Sequence, residues 1–258
     1  VYPSRLTLGE GWDHVVYDTG DGLIARVRKE PDPEAVRREA TLLAALARVA
    51  TLPVPEVVEA DPARGVLVVR KLPGVPLSER PAHDPVRLAA VLGEFLSALH
   101  RSGLEAPAVS GTLPGLLRRA GHDYREIATR LPAGARRAVE AFLSAAPPEE
   151  AAVAAFCHND LGDEHVLLEA GEVTGVIDWS DAAVGDPARD FALLYRDLGP
   201  EFCELLAAHY AGEYSRERAA FYARCTLLGD IAYGMRTGER RYAEEGLALL
   251  DRTMAGAA

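Results

Sequence analysis

The sequence predicts an α+β protein in two parts, a small antiparallel sheet followed by a larger, mainly helical region. Three observations point this way. Up to about residue 72 the apolar residues fall in short runs broken by Gly, Pro and Asp, the pattern of linked strands, with one helical stretch among them. Beyond that point they recur at three- and four-residue spacing, as on amphipathic helices. Between Phe156 and Trp179 a second short hairpin follows a loop rich in His and Asp.

Residues 5–30 read as strand, turn, strand, with Asp21-Gly22 as the hairpin turn. The second strand, Gly22 to Arg28, alternates through Ile24-Ala25-Arg26-Val27-Arg28. A helix follows over about 33–49, with Asp32 as N-cap and Pro33 in the first turn. Glu39, Leu42, Leu43 and Leu46 share one stripe of it. A carboxylate on that stripe needs a cation partner unless it sits at the solvated edge. Val57-Val58 and Gly65 to Leu72 add strands to a sheet of about five, and Leu72-Pro73-Gly74 ends the last of them. Leu88, Val91, Leu92, Phe95 and Leu99 then mark an amphipathic helix. Further helices are expected over about 116–130, 133–145, 200–210, 216–234 and 239–254, and another from an Asp186-Pro187 cap to Leu198.

The 258 residues suffice for one large domain or two small ones. A net charge of −11 argues against nucleic acid as a partner and favours cations. Cys157, Cys203 and Cys225 form no C-x-x-C pair, so neither a zinc ribbon nor a disulfide framework is indicated, and a reducing cytoplasm is expected. No apolar run is long enough to span a bilayer, and the N-terminus lacks a signal-peptide core.

The stretch from Phe156 reads F-C-H-N-D-L-G-D-E-H-V-L-L-E-A-G-E-V-T-G-V-I-D-W. Val166 to Leu168 and Val173 to Ile177 are its strands, and residues 169–172 are the turn. The hairpin returns Asp178 to the end of the polar loop His158 to His165, so Asp160, His165 and Asp178 can meet at one edge. A base and two metal ligands so arranged suit phosphoryl transfer. Asp160 would accept the proton of an attacking hydroxyl. His165 and Asp178 would hold the magnesium that bridges the nucleotide phosphates. Taken singly, each residue also fits a turn cap or a buried hydrogen-bonded histidine, and His158 is assigned to structure.

The loop and hairpin resemble the H-x-D-x-x-x-x-N loop, hairpin and magnesium-binding Asp of kinase-fold enzymes. The form here, H-N-D-L-G-D-E-H followed by V-I-D-W, is similar to the aminoglycoside phosphotransferase family, above all its branch acting on the 2″-hydroxyl, where His stands at the Asn position. The resemblance spans nearly the whole chain and is strongest over 156–191. It implies a two-lobed protein-kinase-like fold: a nucleotide-binding N-lobe at 1–72, a hinge at about 70–76, and a helical C-lobe over 73–258 with the catalytic loop and substrate cleft. It implies ATP or GTP as donor, with Mg2+. Gly9 to His14, including Gly11, would cover the phosphates, and Arg26 would stand where kinases have Lys, paired with Glu39, with Arg28 and Lys29 as the fallback candidates. The backbone from about Arg70 to Leu72 would meet the base. Asp186 and Asp190, in G-D-P…D-F-A, would brace the catalytic loop.

The resemblance further implies a small cationic, aminoglycoside-like acceptor, a role in antibiotic resistance, and a monomer or weak dimer. Asp197, Glu201, Glu204, Asp230, Glu239 and Glu244 are the candidates to bind its amines, and Asp181, near the metal, would contact the metal or the substrate. Arg26 and His165 depart from the kinase pattern: Arg is not equivalent to Lys, and imidazole is a softer ligand than an amide oxygen. The alternatives are a kinase of a macrolide or a small metabolite alcohol, a nucleotide-binding module without catalysis, and a metal-dependent hydrolase using His158, His165 and Asp178.

Overall fold

A computed structural model describes residues 6–10 and 13–255, with Glu10 described by its backbone alone. In chain order the elements are β1 (Leu6–Glu10), β2 (His14–Asp18), β3 (Leu23–Arg28), α1 (Pro33–Leu46), β4 (Val57–Asp61), β5 (Val66–Arg70) and β6 (Val75–Pro76). Then come α2 (Pro85–His100), α3 (Leu113–Ile127), α4 (Ala133–Ser144), β7 (Ala155–Cys157), β8 (Val166–Glu169), β9 (Glu172–Val176) and β10 (Ala183–Gly185). The chain ends with α5 (Arg189–Leu198), α6 (Pro200–Ala207), α7 (Arg216–Thr237) and α8 (Arg240–Met254). No described helix is long and apolar enough to cross a membrane.

The chain forms two compact units, one of residues 1–84 with 164–181 and one of residues 85–163 with 182–258. In the first unit a five-stranded sheet runs β1-β2-β3-β5-β4 with every pairing antiparallel. Three strands thus occupy the stretch expected as strand, turn, strand. On one face Ala25, Val66 and Val68 pack with Tyr17, Leu23 and Val27. The alternating residues Leu67 and Val69 are also buried, as are Val36, Leu43 and Leu46 of α1. Asp32 caps α1 through its carboxylate, which accepts from the N–H of Glu34 and of Ala35.

The expected boundary at residue 72 differs from this division for a physical reason. Val75 and Pro76 of β6 pair with Leu168 and Leu167 of β8, extending the late hairpin into a three-stranded sheet. Gly74 has φ +98°, and a Cβ there would lie 2.6 Å from the Leu168 carbonyl oxygen, so only glycine fits. Hairpin and linker are therefore one piece of sheet within the first unit.

The β8–β9 turn is Ala170-Gly171, with φ of 51° and 87°. Positive φ at both central residues marks a type I′ turn, where alanine is strained by about 1–2 kcal/mol. Ala170→Asn is expected to stabilise the protein by about 0.5–1 kcal/mol, read as a higher urea midpoint at unchanged m.

In the second unit α2 buries Leu88, Leu92, Phe95, Leu96 and Leu99. Phe191 and Leu194 of α5 are buried too, with Leu227, Leu228 and Ile231 of α7. Each such side chain contributes about 1.5–3 kcal/mol by burial. The short strands β7 and β10, not expected from the sequence, pair antiparallel from Ala155↔Gly185 to Cys157↔Ala183. The helix expected to open on an Asp186-Pro187 cap begins instead at Arg189. The Asp186 carboxylate accepts from the Ala188 N–H and from Arg218 Nε, which anchors the turn before α5 to α7.

Candidate active site

Arg26 sits on β3 and gathers the charged groups of the first unit. Its NH1 donates to Glu39 Oε1 on α1, and its NH2 donates to Asp178 Oδ1 at 3.0 Å. Nε and NH2 both reach His14 Nε2, at 3.1 and 2.8 Å. Since arginine only donates, Nε2 of His14 must accept. Arg26 and Glu39 are well shielded, with side chains 12% and 15% exposed. Burial raises the Glu39 carboxyl, and Arg26 offsets only part of this.

Asp178 follows β9 in a left-handed conformation, φ +61°, which aspartate tolerates better than most residues. Ser180 Oγ donates to its Oδ1 at 2.9 Å, and His165 Nε2 stands 3.9 Å from its Oδ2. Burial works against the ionised form, but Arg26, then His165 and Ser180, hold the carboxyl well below the usual range. Asp181, which is exposed, is shifted the other way by desolvation and by the Asp178 and Asp13 carboxylates. Three acids thus lie close together beside the His165 imidazole. This carboxylate-rich donor set suits a hard divalent cation, with Asp178 and His165 as the groups that could hold it.

His14 has a consequence that can be measured. Burial first, then Arg26, lowers it from 6.5 to about 4. Between these values the unfolded chain takes up a proton that the folded chain refuses. The stabilisation is therefore complete above pH 6.5 and is lost as pH falls toward 4. Denaturation of the ligand-free protein across this window should show a loss of at most roughly 3 kcal/mol from this group. His14→Gln, which keeps an acceptor for Arg26, should flatten the slope.

In the second unit the loop carrying Asp160 is held by its backbone. Asp190 is fully buried and accepts from the N–H of His158 at 2.9 Å and of Asn159 at 2.7 Å. His100 Nε2 lies 2.9 Å from Asp190 Oδ2, and its Nδ1 lies 2.7 Å from the Tyr210 hydroxyl. Burial would raise the Asp190 carboxyl, but the His100 contact and the loop N–H groups keep it lowered. Asn159 turns the chain with φ +66°, and the Asp160 N–H donates to His158 Nδ1 at 3.3 Å. That bond commits the buried His158 to the loop itself, which argues against the hydrolase alternative that needs it as a ligand. Downstream, Asp163 N–H donates to Asp197 Oδ2 at 3.2 Å.

The expected acceptor-binding acids are largely engaged elsewhere. Asp197 is only 4% exposed, braces the loop and pairs with Arg196 Nε at 2.6 Å. Asp230 accepts from Arg196 NH1 at 2.6 Å, and Glu204 lies 3.5 Å from Arg216 NH1. Glu201 and Glu239 are exposed. Arg70 is an exposed β5 residue whose Nε donates to Glu56 at 2.9 Å, and Leu72 packs on Gly175 of the hairpin. Gly11 lies outside the described residues. Sequence reasoning put His14 at the end of the glycine loop, whereas Gly9 lies in β1 and His14 opens β2, and it missed the contact of His14 with Arg26. The alternation of β2 and β3, which puts residues 14, 16, 26 and 28 on one face, could have found it.

A five-stranded antiparallel sheet with one helix, a late loop followed by a second hairpin, and a largely helical remainder are the elements of a kinase-like fold. The chain belongs to the phosphotransferase enzyme family, whose sequence profile matches residues 5–224. It is 28% identical over 197 residues to viomycin phosphotransferase of Streptomyces vinaceus, covering 70% of this chain and 68% of that one. Among solved structures it is similar to wild-type aminoglycoside 2'-phosphotransferase-IIIa in its GDP complex, with a TM-score of 0.77 at 22% identity, covering 100% of this chain and 94% of that one. It is also similar to a macrolide 2'-phosphotransferase from Brachybacterium faecium, with a TM-score of 0.62 at 23% identity, covering 96% and 91%.

Proposed function

We propose that this protein transfers the γ-phosphoryl group of ATP or GTP to a hydroxyl of a small amine-bearing acceptor, aminoglycoside-like in the first instance. The observation that carries the reading is the Arg26 guanidinium joining Glu39 to the ionised Asp178. A guanidinium fork oriented by two acids supports a role in holding phosphate oxygens. The GDP complex of the similar aminoglycoside enzyme supports a nucleotide donor that includes guanine. The three free cysteines, of which Cys157 and Cys203 are buried, fit a cytoplasmic protein.

In this reading Asp160 takes the proton of the acceptor hydroxyl as that oxygen bonds to the γ-phosphorus. The bond from phosphorus to the β–γ bridging oxygen breaks, and the nucleoside diphosphate leaves. Asp178 and His165 would hold Mg2+, which when bound neutralises charge on the phosphate oxygens. Glu39 and His14 fix the plane of Arg26. The 70–72 backbone would meet the base, and Gly11 would lie over the phosphates. The rate would come mainly from positioning and charge neutralisation.

A second reading, a kinase of a small metabolite alcohol, is favoured by the arginine partners of Asp197, Asp230 and Glu204, which leave fewer acids for a polyamine. The deciding experiment measures consumption of ATP and GTP against aminoglycosides, macrolides and small alcohols. Acceptor-dependent, magnesium-dependent consumption is expected with one class. Nucleotide binding with no acceptor-dependent turnover across the panel would leave a binding module instead.

A further inference from the structure

Asp197, a candidate to bind acceptor amines, is instead 4% exposed at the last turn of α5. Its Oδ1 accepts from Arg196 Nε at 2.6 Å and its Oδ2 from Arg196 NH2 at 3.2 Å. Arg196 is held in turn by Asp230 at 2.6 Å. Arg252 of α8 donates to the Arg196 and Asp197 carbonyls at 2.6 and 2.7 Å, so the turn that carries the carboxylate is tied down as well. The buried charge is thus paired, and Oδ2 also accepts from the Asp163 N–H at 3.2 Å.

Asp163 is the downstream end of the Asp160 loop. Asp190 holds the upstream end through the N–H groups of His158 and Asn159. Both acids stand on α5, at i and i+7, which puts them on one face and about 10.5 Å apart along the axis. The chain from Asn159 to Asp163 reaches about 13–14 Å at full stretch. Pinned at both ends over that rise, it has little slack. The Gly162 N–H takes up part of what remains by donating to the Asp160 carbonyl at 3.0 Å. Between the pins the loop lies directly on the helix. A Cβ on Gly162 would stand 3.0 Å from Asp197 Oδ2 and 3.6 Å from Leu193 Cβ, and Leu161 is buried. Asp160 therefore sits on a short bridge with two carboxylate footings on one helix.

We propose that Asp197 is a positioning residue for phosphoryl transfer: with Asp190 it fixes both ends of the loop, and so sets where the Asp160 carboxylate meets the acceptor hydroxyl. The role rests on the reading of Asp160 as the group that takes the hydroxyl proton.

Amide hydrogen exchange of the full chain reads the clamp without any substrate. In wild type the Asn159 and Asp163 amides should both be protected. In Asp197→Ala the Asp163 amide should exchange on the order of 10-fold faster, while that of Asn159 keeps most of its protection. Turnover is then followed with Mg-ATP and Mg-GTP as donors and kanamycin, erythromycin and ethanolamine as acceptors. Asp197→Ala should lower kcat by about 10–100-fold, the cost of a misplacement near 1 Å, and leave the nucleotide KM within about twofold of wild type. Asp197→Asn, which keeps an oxygen for the Asp163 N–H, should recover most of the loss. A merely structural carboxylate would lower the denaturation midpoint in both variants and leave kcat alone. An Asp163 amide unprotected in wild type overturns the proposal, and does so even if Asp197→Ala fails to fold. So does a folded Asp197→Ala with wild-type kcat, or one in which kcat and nucleotide affinity fall together. Failure of the kinase reading looks different. Wild type then consumes no nucleotide with any acceptor, or Asp160→Asn matches it, whatever the Asp163 amide does, and the positioning role falls with that reading.

Discussion

Asp160→Asn should lower kcat by on the order of 10²–10⁴-fold while nucleotide affinity stays close to wild type. The amide matches the carboxylate in shape, and backbone hydrogen bonds hold the loop in place. His158 and Asn159 donate their N–H groups to Asp190, and the Asp160 N–H itself donates to His158 Nδ1. What the substitution removes is a proton acceptor for the attacking hydroxyl. Because phosphoryl transfer passes through a loose transition state, with little bond formation to the nucleophile, the loss can fall toward the lower end of that range. Steady-state turnover with the preferred acceptor and a separate nucleotide titration measure the two halves. Turnover equal to wild type removes Asp160 from the chemistry. A collapse of nucleotide affinity at preserved kcat would move it to the phosphate site instead.

The fold was legible where local chemistry is strong. Asp32 and Pro33 announce α1, the apolar spacing from Leu88 to Leu99 gives α2, and Ala170-Gly171 sits where the hairpin must turn. Of the candidate site, the order of Asp160, His165 and Asp178 around that hairpin could be read directly. The rest depends on partners distant in sequence. Asp230 finds Arg196, 34 positions away, and no periodicity links them. Arg196 and Asp197 are chain neighbours, and residues i and i+1 of a helix do not ordinarily face each other. They meet at the last turn of α5, where Arg252 of α8 donates to both of their carbonyls. Acids that look available in a sequence are therefore engaged once the helices pack. The strands β7 and β10 are three residues each, too short to show alternation. Asp186-Pro187 has the composition of a helix start, but the Asp186 carboxylate is claimed by Arg218 from α7.

Asp178→Ala should abolish the magnesium-dependent part of nucleotide affinity, a loss on the order of 10²-fold or more, because it removes a carboxylate held firmly ionised beside His165. The neighbouring acid does not replace it. Asp181 is exposed and owes part of its raised pKa to Asp178 itself, so removing Asp178 returns Asp181 toward an ordinary carboxylate without moving it to the Arg26 fork. Arg26 keeps Glu39 and His14 and so remains oriented toward phosphate. A residual, metal-independent affinity should therefore survive. Thermal or chemical denaturation with nucleotide, with and without Mg2+, separates the two contributions, since a ligand at 100 times its Kd adds about 2.7 kcal/mol to stability. Wild type should gain stability from nucleotide and gain more when Mg2+ is added, and the variant should show the first gain alone. Chelation of the metal should make wild type behave like the variant. An equal magnesium increment in Asp178→Ala would mean that the cation is held by other groups, and the pairing of Asp178 with His165 would then be a structural contact of the hairpin.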